Sequence, residues 1–248
     1  MPQKEIIQDE IICLTRREFS ETSLVLVVLS RHHGKISLMA KGVKRPRGKT
    51  AGGIDLLDGG QASILLNREG LSLLREFVPG RPYPAIRNDI RKWYAVLYLV
   101  ELVNMATQEL EPVGEIFRVL SAAIDRIAAA DNNRVLANIL IRALKRLLVL
   151  IGYRPEIESC VVCRRGVTSA EPLYFSASSG GVVCRNCEVG IVEKMRLDPR
   201  AWSYLLNKTH DLQSASLAFD VLNYMLRETL GRTPTLRSYC QSIFSSNS

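Results

Sequence analysis

The sequence predicts an α+β chain of more than one domain: an N-terminal β-barrel, then a mainly α-helical domain that carries a four-cysteine module. Apolar clusters of strand length, each bounded by turn residues, fill roughly the first eighty residues. The apolar period turns helical after Pro79, Pro82 and Pro84. Two Cys-x-x-Cys pairs then interrupt the helical region.

The β clusters lie at 6–14, 24–29, 35–43, 61–66 and 71–78. Turn signals separate them: Ser20-Glu21-Thr22, His32-His33-Gly34, a Gly/Pro/Lys stretch over 42–60, and Asn67-Arg68-Glu69-Gly70. Five short strands in this order fit an OB-like barrel over residues 1–80, of the type that binds nucleic acid. The 67–70 stretch predicts a short hairpin loop, with Gly70 supplying a positive φ.

Helical spacing begins with Tyr94, Leu97, Tyr98, Glu101 and Leu102. A second helix is expected near Pro112, with Ile116, Phe117, Leu120 and Ile124 on one face. A third runs from about Asn133 with a wide apolar stripe from Leu136 to Ile151, and Gly152 and Pro155 supply its cap and stop. These make a first helical part, 81–155. The cysteine module follows over 156–195. A C-terminal helical part, 196–248, opens on Asp198-Pro199 as N-cap and first turn and continues helical to Gly231. Thr233-Pro234 opens one last short helix.

The cysteine pattern is Cys160-Val-Val-Cys163, twenty residues, then Cys184-Arg-Asn-Cys187. Two residues between cysteines let both sulfurs converge as the chain turns, and two such knuckles complete a tetrahedron of thiolates about one Zn²⁺. Small residues over 176–181 allow the chain to turn back before the second knuckle. A four-thiolate site has no open coordination position, so the zinc is structural. Arg164, Arg165 and Arg185 stand beside the ligands, where they offset the thiolate charge or face a phosphate backbone. Cys13 and Cys240 lack partner spacing and read as packing residues.

The net charge of +8 and pI near 9.3 favour polyanionic partners. No apolar run reaches membrane-span length and no secretory signal is visible, which together predict a cytoplasmic protein with reduced cysteines. Seven basic residues, Arg31, Lys35, Lys41, Lys44, Arg45, Arg47 and Lys49, run without an acidic interruption and form the candidate DNA contact. No catalytic constellation is visible. His32 and His33 sit in a turn, Asp55 and Asp58 read as turn caps, and no phosphate-cradling glycine loop occurs, so a non-enzymatic binding protein is expected.

The chain resembles the RecO family of bacterial recombination mediators over nearly its whole length. The resemblance rests on Gly34-Lys35 followed by Ala40-Lys41-Gly42-Val43-Lys44-Arg45, then Leu150-Ile151-Gly152-Tyr153-Arg154-Pro155, the cysteine pairs, Phe175 and Gly180-Gly181. Where such proteins often carry Phe-Glu-Leu ahead of Gly152, this chain has Ala143-Leu144-Lys145. The resemblance implies DNA repair and recombination through binding of single- and double-stranded DNA, strand annealing, and loading of the RecA recombinase onto strands coated by single-strand-binding protein. It implies RecR and that coating protein as partners, in the cytoplasm at the nucleoid. The acidic, aromatic-ended tail of the coating protein is assigned to the helical domain, where Arg142 and Arg146, with Lys145, flank the apolar stripe. A zinc-ribbon adaptor in transcription or RNA metabolism would share the charge and the cysteines.

Overall fold

The computed structural model describes residues 5–41, 54–80 and 82–245. The chain divides into two compact units, one of residues 1–84 with 103–121 and one of residues 85–102 with 122–248. The barrel's unit therefore takes in residues 103–121, which the sequence reading assigns to the helical domain.

Unit one holds β1 (Glu5–Glu18), β2 (Leu24–Ser30), β3 (Gly34–Ala40), β4 (Gly59–Leu66) and β5 (Ser72–Pro79). They close into a barrel in the order β1-β2-β3-β5-β4, the OB-like arrangement expected. The first strand makes closure possible. Its residues 5–12 pair with β4 and its residues 11–18 pair with β2, with a register shift between Cys13 and Thr15 that bends the strand between its two partners. The last seam is short and parallel: Leu38, Met39 and Ala40 face Ser72, Leu73 and Leu74. Alternation drives the core, since Ile36, Leu38 and Ala40 of β3 point inward and are all but fully buried. They meet Leu26 and Val28 of β2 and Ile64 of β4 in one apolar cluster.

One expectation of the loops changes and another holds. Gly70 does not take a positive φ. The Asn67 side chain organises that turn instead, Oδ1 accepting from the Glu69 N–H at 3.3 Å. The positive φ belongs to Gly34 (74°), in the β2–β3 turn. Asp55 and Asp58 do form a turn: Asp58 Oδ2 accepts from the Asp55 N–H at 2.8 Å, and the Asp58 N–H donates to the Asp55 carbonyl at 3.1 Å.

The helices are α1 (Pro84–Arg87), α2 (Ile90–Ala106), α3 (Gly114–Ala129), α4 (Asn133–Leu150), α5 (Pro199–Leu205) and α6 (Leu212–Leu230). Asn132 caps α4 by accepting from the Val135 N–H. Asp198 caps α5 with Pro199 in its first turn, as expected. The helical run anticipated from there to Gly231 is interrupted: Asn207 adopts φ 59°, and Asp211 starts α6 anew by accepting from the Ser214 N–H. Left-handed Asn closes one helix and an aspartate cap opens the next. Gly231, at φ 70°, ends α6. Within unit two, Tyr98 donates to Asn223 Oδ1 at 3.0 Å while its ring packs on Phe219, so the phenol is fully buried and satisfied. Residues 235–243 form a 3₁₀ helix, whose first N–H groups donate to the Glu101 carboxylate. No helix among the described residues is long and apolar enough to cross a membrane.

Candidate metal centre and nucleic-acid interface

The cysteine knuckles are assembled by a small sheet. Strands β6 (Leu173–Ser176), β7 (Gly181–Cys184) and β8 (Met195–Leu197) lie in the order β7-β6-β8. The 177–180 turn reverses the chain as the small residues foretold. The stretch before the first knuckle adds to the β7 edge: the Glu156 N–H donates to Gly180 and the Val182 N–H donates to Glu156. A Cβ at Gly181 would lie 2.2 Å from the Glu156 carbonyl oxygen, so only glycine admits that approach. The Glu156 carboxylate then accepts from the Glu158 and Ser159 N–H groups and fixes the entry to Cys160. Trp202 of α5 donates to the Ile157 carbonyl at 2.8 Å and anchors the module to the helices of its own unit.

The four cysteine sulfurs lie within 4.8 Å of one another, and Cys163 Sγ is 3.9 Å from Cys184 Sγ. Four thiolates at about 2.3 Å from one Zn²⁺ would sit about 3.8 Å apart, so the donor set fits a tetrahedral metal ion. Hydrogen bonding favours the thiolate at Cys160 and Cys184. Burial pushes the Cys160 thiol up, but N–H groups of Cys163, Cys184 and Val162 outweigh it and bring it down to about 6. Cys184 is lowered too: burial opposes, and the Cys187 N–H, the Cys187 thiol and the Arg165 guanidinium prevail. Hydrogen bonding to that Cys184 sulfur pushes Cys187 up to about 12. Arg165 also chelates Glu171, at 2.8 and 3.0 Å. All three arginines are exposed, and Arg165 is the one whose guanidinium meets a cysteine sulfur, that of Cys184. Cys13 and Cys240 are buried and are not part of the four-sulfur cluster.

The basic run divides. Lys44, Arg45, Arg47 and Lys49 lie outside the described residues. Arg31 is exposed and paired with Glu10 at 2.9 Å. Lys35 is engaged within the fold: its ammonium donates to the carbonyls of Asn104 and Thr107, closing the C-terminal turn of α2. Sequence position alone put Lys35 among the phosphate contacts, because no local signal announces a partner about seventy residues away. Lys41 is exposed at the end of β3 and lines a groove of about 240 Å³ with Met39, Leu65, Asn67, Leu71 and Leu73.

The sequence reading missed that groove, although its signal was present. Met39 and Leu73 are apolar residues at outward positions of strands whose inward positions are already apolar, and they face each other across the β3–β5 seam. Also missed was the pairing of His32 and His33 with Asp9, some two dozen residues earlier. On α4, Arg142 and Arg146 are exposed. The stripe between them fills the core, with Leu140, Leu144, Leu147 and Leu148 buried, and Lys145 donates to the Leu205 carbonyl at 2.8 Å.

Comparison with known families matches residues 3–83 to the family description "Recombination protein O N terminal" and residues 87–237 to "Recombination protein O C terminal". The chain is 31% identical over 178 residues to a protein named DNA repair protein RecO from Desulfitobacterium hafniense, covering 71% of this chain and 63% of that one. A protein of the same name from Rhodopirellula baltica is 32% identical over 179 residues, 71% of this chain and 65% of the relative. One from Lactobacillus acidophilus is 24% identical over 204 residues, 82% of this chain and 78% of the relative. The matched stretch thus spans less than two thirds of the first two relatives. With one match over the barrel and another over the helices and both cysteine knuckles, the chain belongs to the RecO family.

Proposed function

We propose that the chain is a DNA repair and homologous recombination mediator that binds single- and double-stranded DNA, anneals complementary strands and helps load RecA onto strands coated by single-strand-binding protein. One observation carries the reading: a closed barrel in a RecO-family chain, whose β3 leads into Lys41, the first of five basic residues over 41–49. The apolar groove beside Lys41 gives bases a seat while cationic side chains meet phosphates. Annealing needs no nucleotide on this reading, because a cationic surface lowers the repulsion between two strands as they meet. The four cysteines hold one structural zinc, which leaves no coordination position for catalysis, and the protein is non-enzymatic. It works in the cytoplasm at the nucleoid, with RecR as a partner.

Strand annealing with and without single-strand-binding protein tests the proposal. Annealing is expected without ATP, and a strict nucleotide requirement would count against the mechanism. If the basic run meets about four phosphates, log affinity falls with log salt at a slope of roughly −3 to −4. Lys41→Glu combined with Lys44→Glu should weaken binding to all sequences alike and flatten that slope. An unchanged slope moves the contact elsewhere.

The tail of the coating protein is assigned to the helical unit, at Arg142 and Arg146. Both guanidinium groups are exposed on one face of α4, four residues apart, where an acidic peptide can reach them. A tail peptide should bind with salt-sensitive affinity and weaken several-fold, about 1 kcal/mol, with Arg142→Ala plus Arg146→Ala. Retained binding by the double variant, measured by fluorescence anisotropy, rejects this face.

A further inference from the structure

The turn between β2 and β3 carries two adjacent imidazoles on one buried carboxylate. Asp9 reaches the turn from β1, its side chain 1% exposed. Its Oδ1 lies 2.8 Å from His32 Nδ1 and its Oδ2 lies 2.9 Å from His33 Nδ1. Oδ2 also accepts from the His32 backbone N–H at 3.0 Å and from the Ser30 hydroxyl. Burial pushes the Asp9 carboxyl up, but the hydrogen bonds from Ser30, His33 and His32 prevail and hold it at about 2. Near neutral pH it is therefore ionised and can only accept. Each ring must present its Nδ1–H to it, which leaves each Nε2 as the position that gains or loses a proton. The His32 and His33 side chains are 71% and 34% exposed, so solvent reaches the rings beyond the carboxylate.

We propose that His32 and His33 form a proton-gated phosphate contact of the barrel, turned on when each Nε2 gains a proton and donates to the backbone of a nucleic acid strand. This rests on the DNA-binding reading and supplies its regulation. A neutral Nε2 presents a lone pair, which a phosphate oxygen cannot use. A protonated Nε2 presents a charged N–H donor, which it can. One carboxylate holds both rings in place, so the contact is preorganised in either state.

The surrounding charges are largely committed to one another. From β1, Glu10 pairs with Arg31 of the turn. From β3, Lys35 is bound to the α2 carbonyls, and Ser37 donates to Glu109 of the following connection. At the start of α3, Glu115 pairs with Arg118. Glu111, whose backbone abuts Gly34, is exposed and makes no ion pair among the described residues. The chain has three histidines in all, the third being His210, so His32 and His33 are the histidines of the barrel.

Binding of a labelled single strand to the full chain, read as affinity against salt from about 50 to 200 mM at about pH 8 and about pH 6, tests the contact. Two added phosphate contacts at about 0.7 each should steepen the salt slope by about 1.4 at the lower pH, so the affinity gained at the lower pH should be about sevenfold larger at about 50 mM than at about 200 mM salt. His32→Gln plus His33→Gln should abolish the difference, and His210→Gln should leave it intact. His33 is the more enclosed ring, so His32→Gln alone is the deciding variant should the double one misfold, and it should remove about half the slope change. Equal slopes at both pH values in a chain that binds DNA, or a full pH response in folded His32→Gln, would overturn the contact and leave the DNA reading standing. No DNA binding at either pH would overturn the DNA reading and the contact with it.

Discussion

Cys184→Ser is expected to empty the metal site and unfold the module around it while the barrel stays folded. Strands β6, β7 and β8 have 4, 4 and 3 residues, too short to be stable on hydrogen bonds alone. Cys184 is both the last residue of β7, paired with Leu173, and one of the four clustered sulfurs, so on the proposed zinc assignment metal binding and strand pairing are one event. Apparent binding energies in zinc peptides run to about 10–16 kcal/mol, and that binding energy is folding energy. The surrounding helices retain part of the module, so a loss of about 4–5 kcal/mol is expected, at the extreme of single substitutions. Protein purified without chelator should carry about one zinc per chain by elemental analysis, falling to near zero in Cys184→Ser. Cys13→Ser, at a buried barrel cysteine outside the four-sulfur cluster, should keep full metal content. A wild-type chain free of zinc would defeat the assignment.

The features legible in the sequence are those whose physics is local. Apolar clusters bounded by turn residues located all five strands, and Cys-x-x-Cys spacing located the four clustered sulfurs, because each pattern is written within a few residues of itself. The number and spacing of the strands fitted an OB-like barrel, but the order β1-β2-β3-β5-β4 came from the structure, since pattern alone does not fix which strands pair. What stayed hidden depends on partners far along the chain. Lys35 looks like any cation in a basic run until α2 presents its terminal carbonyls. His32 and His33 look like turn residues until Asp9 arrives from β1. The break at Asn207 was missed for another reason: the apolar spacing of α6 extrapolates backwards smoothly, and one left-handed residue is enough to end a helix without disturbing it. On α4, periodicity found the stripe but could not tell core from groove, since a buried face and a docking face read alike.

Gly34→Ala should cost about 3–5 kcal/mol, because it combines two penalties at one atom. The residue sits at φ 74°, where a side chain adds about 1–3 kcal/mol of backbone strain. A Cβ there would also fall 1.8 Å from the Glu111 carbonyl oxygen and 2.6 Å from its carbon, both backbone atoms that cannot swing aside. The connection is held against β3 by several bonds at once. The Leu110 N–H donates to the Lys35 carbonyl at 2.9 Å, Ser37 donates to Glu109, and the Lys35 ammonium grips the end of α2. Making room for a methyl group means breaking that set or reshaping the turn that carries His32 and His33. Two other glycines separate the penalties. Gly152 has φ 91° but nothing within 4 Å, so Gly152→Ala should show conformational strain alone, about 1 kcal/mol. Gly70 has neither a positive φ nor a contact closer than 3.5 Å, so Gly70→Ala should stay within about 0.5 kcal/mol of the parent. Chemical denaturation followed by circular dichroism measures all three. If Gly34→Ala costs no more than Gly152→Ala, the 109–111 connection is not packed against the turn, and the clasp between β3 and the end of α2 is not what holds this part of the barrel unit together.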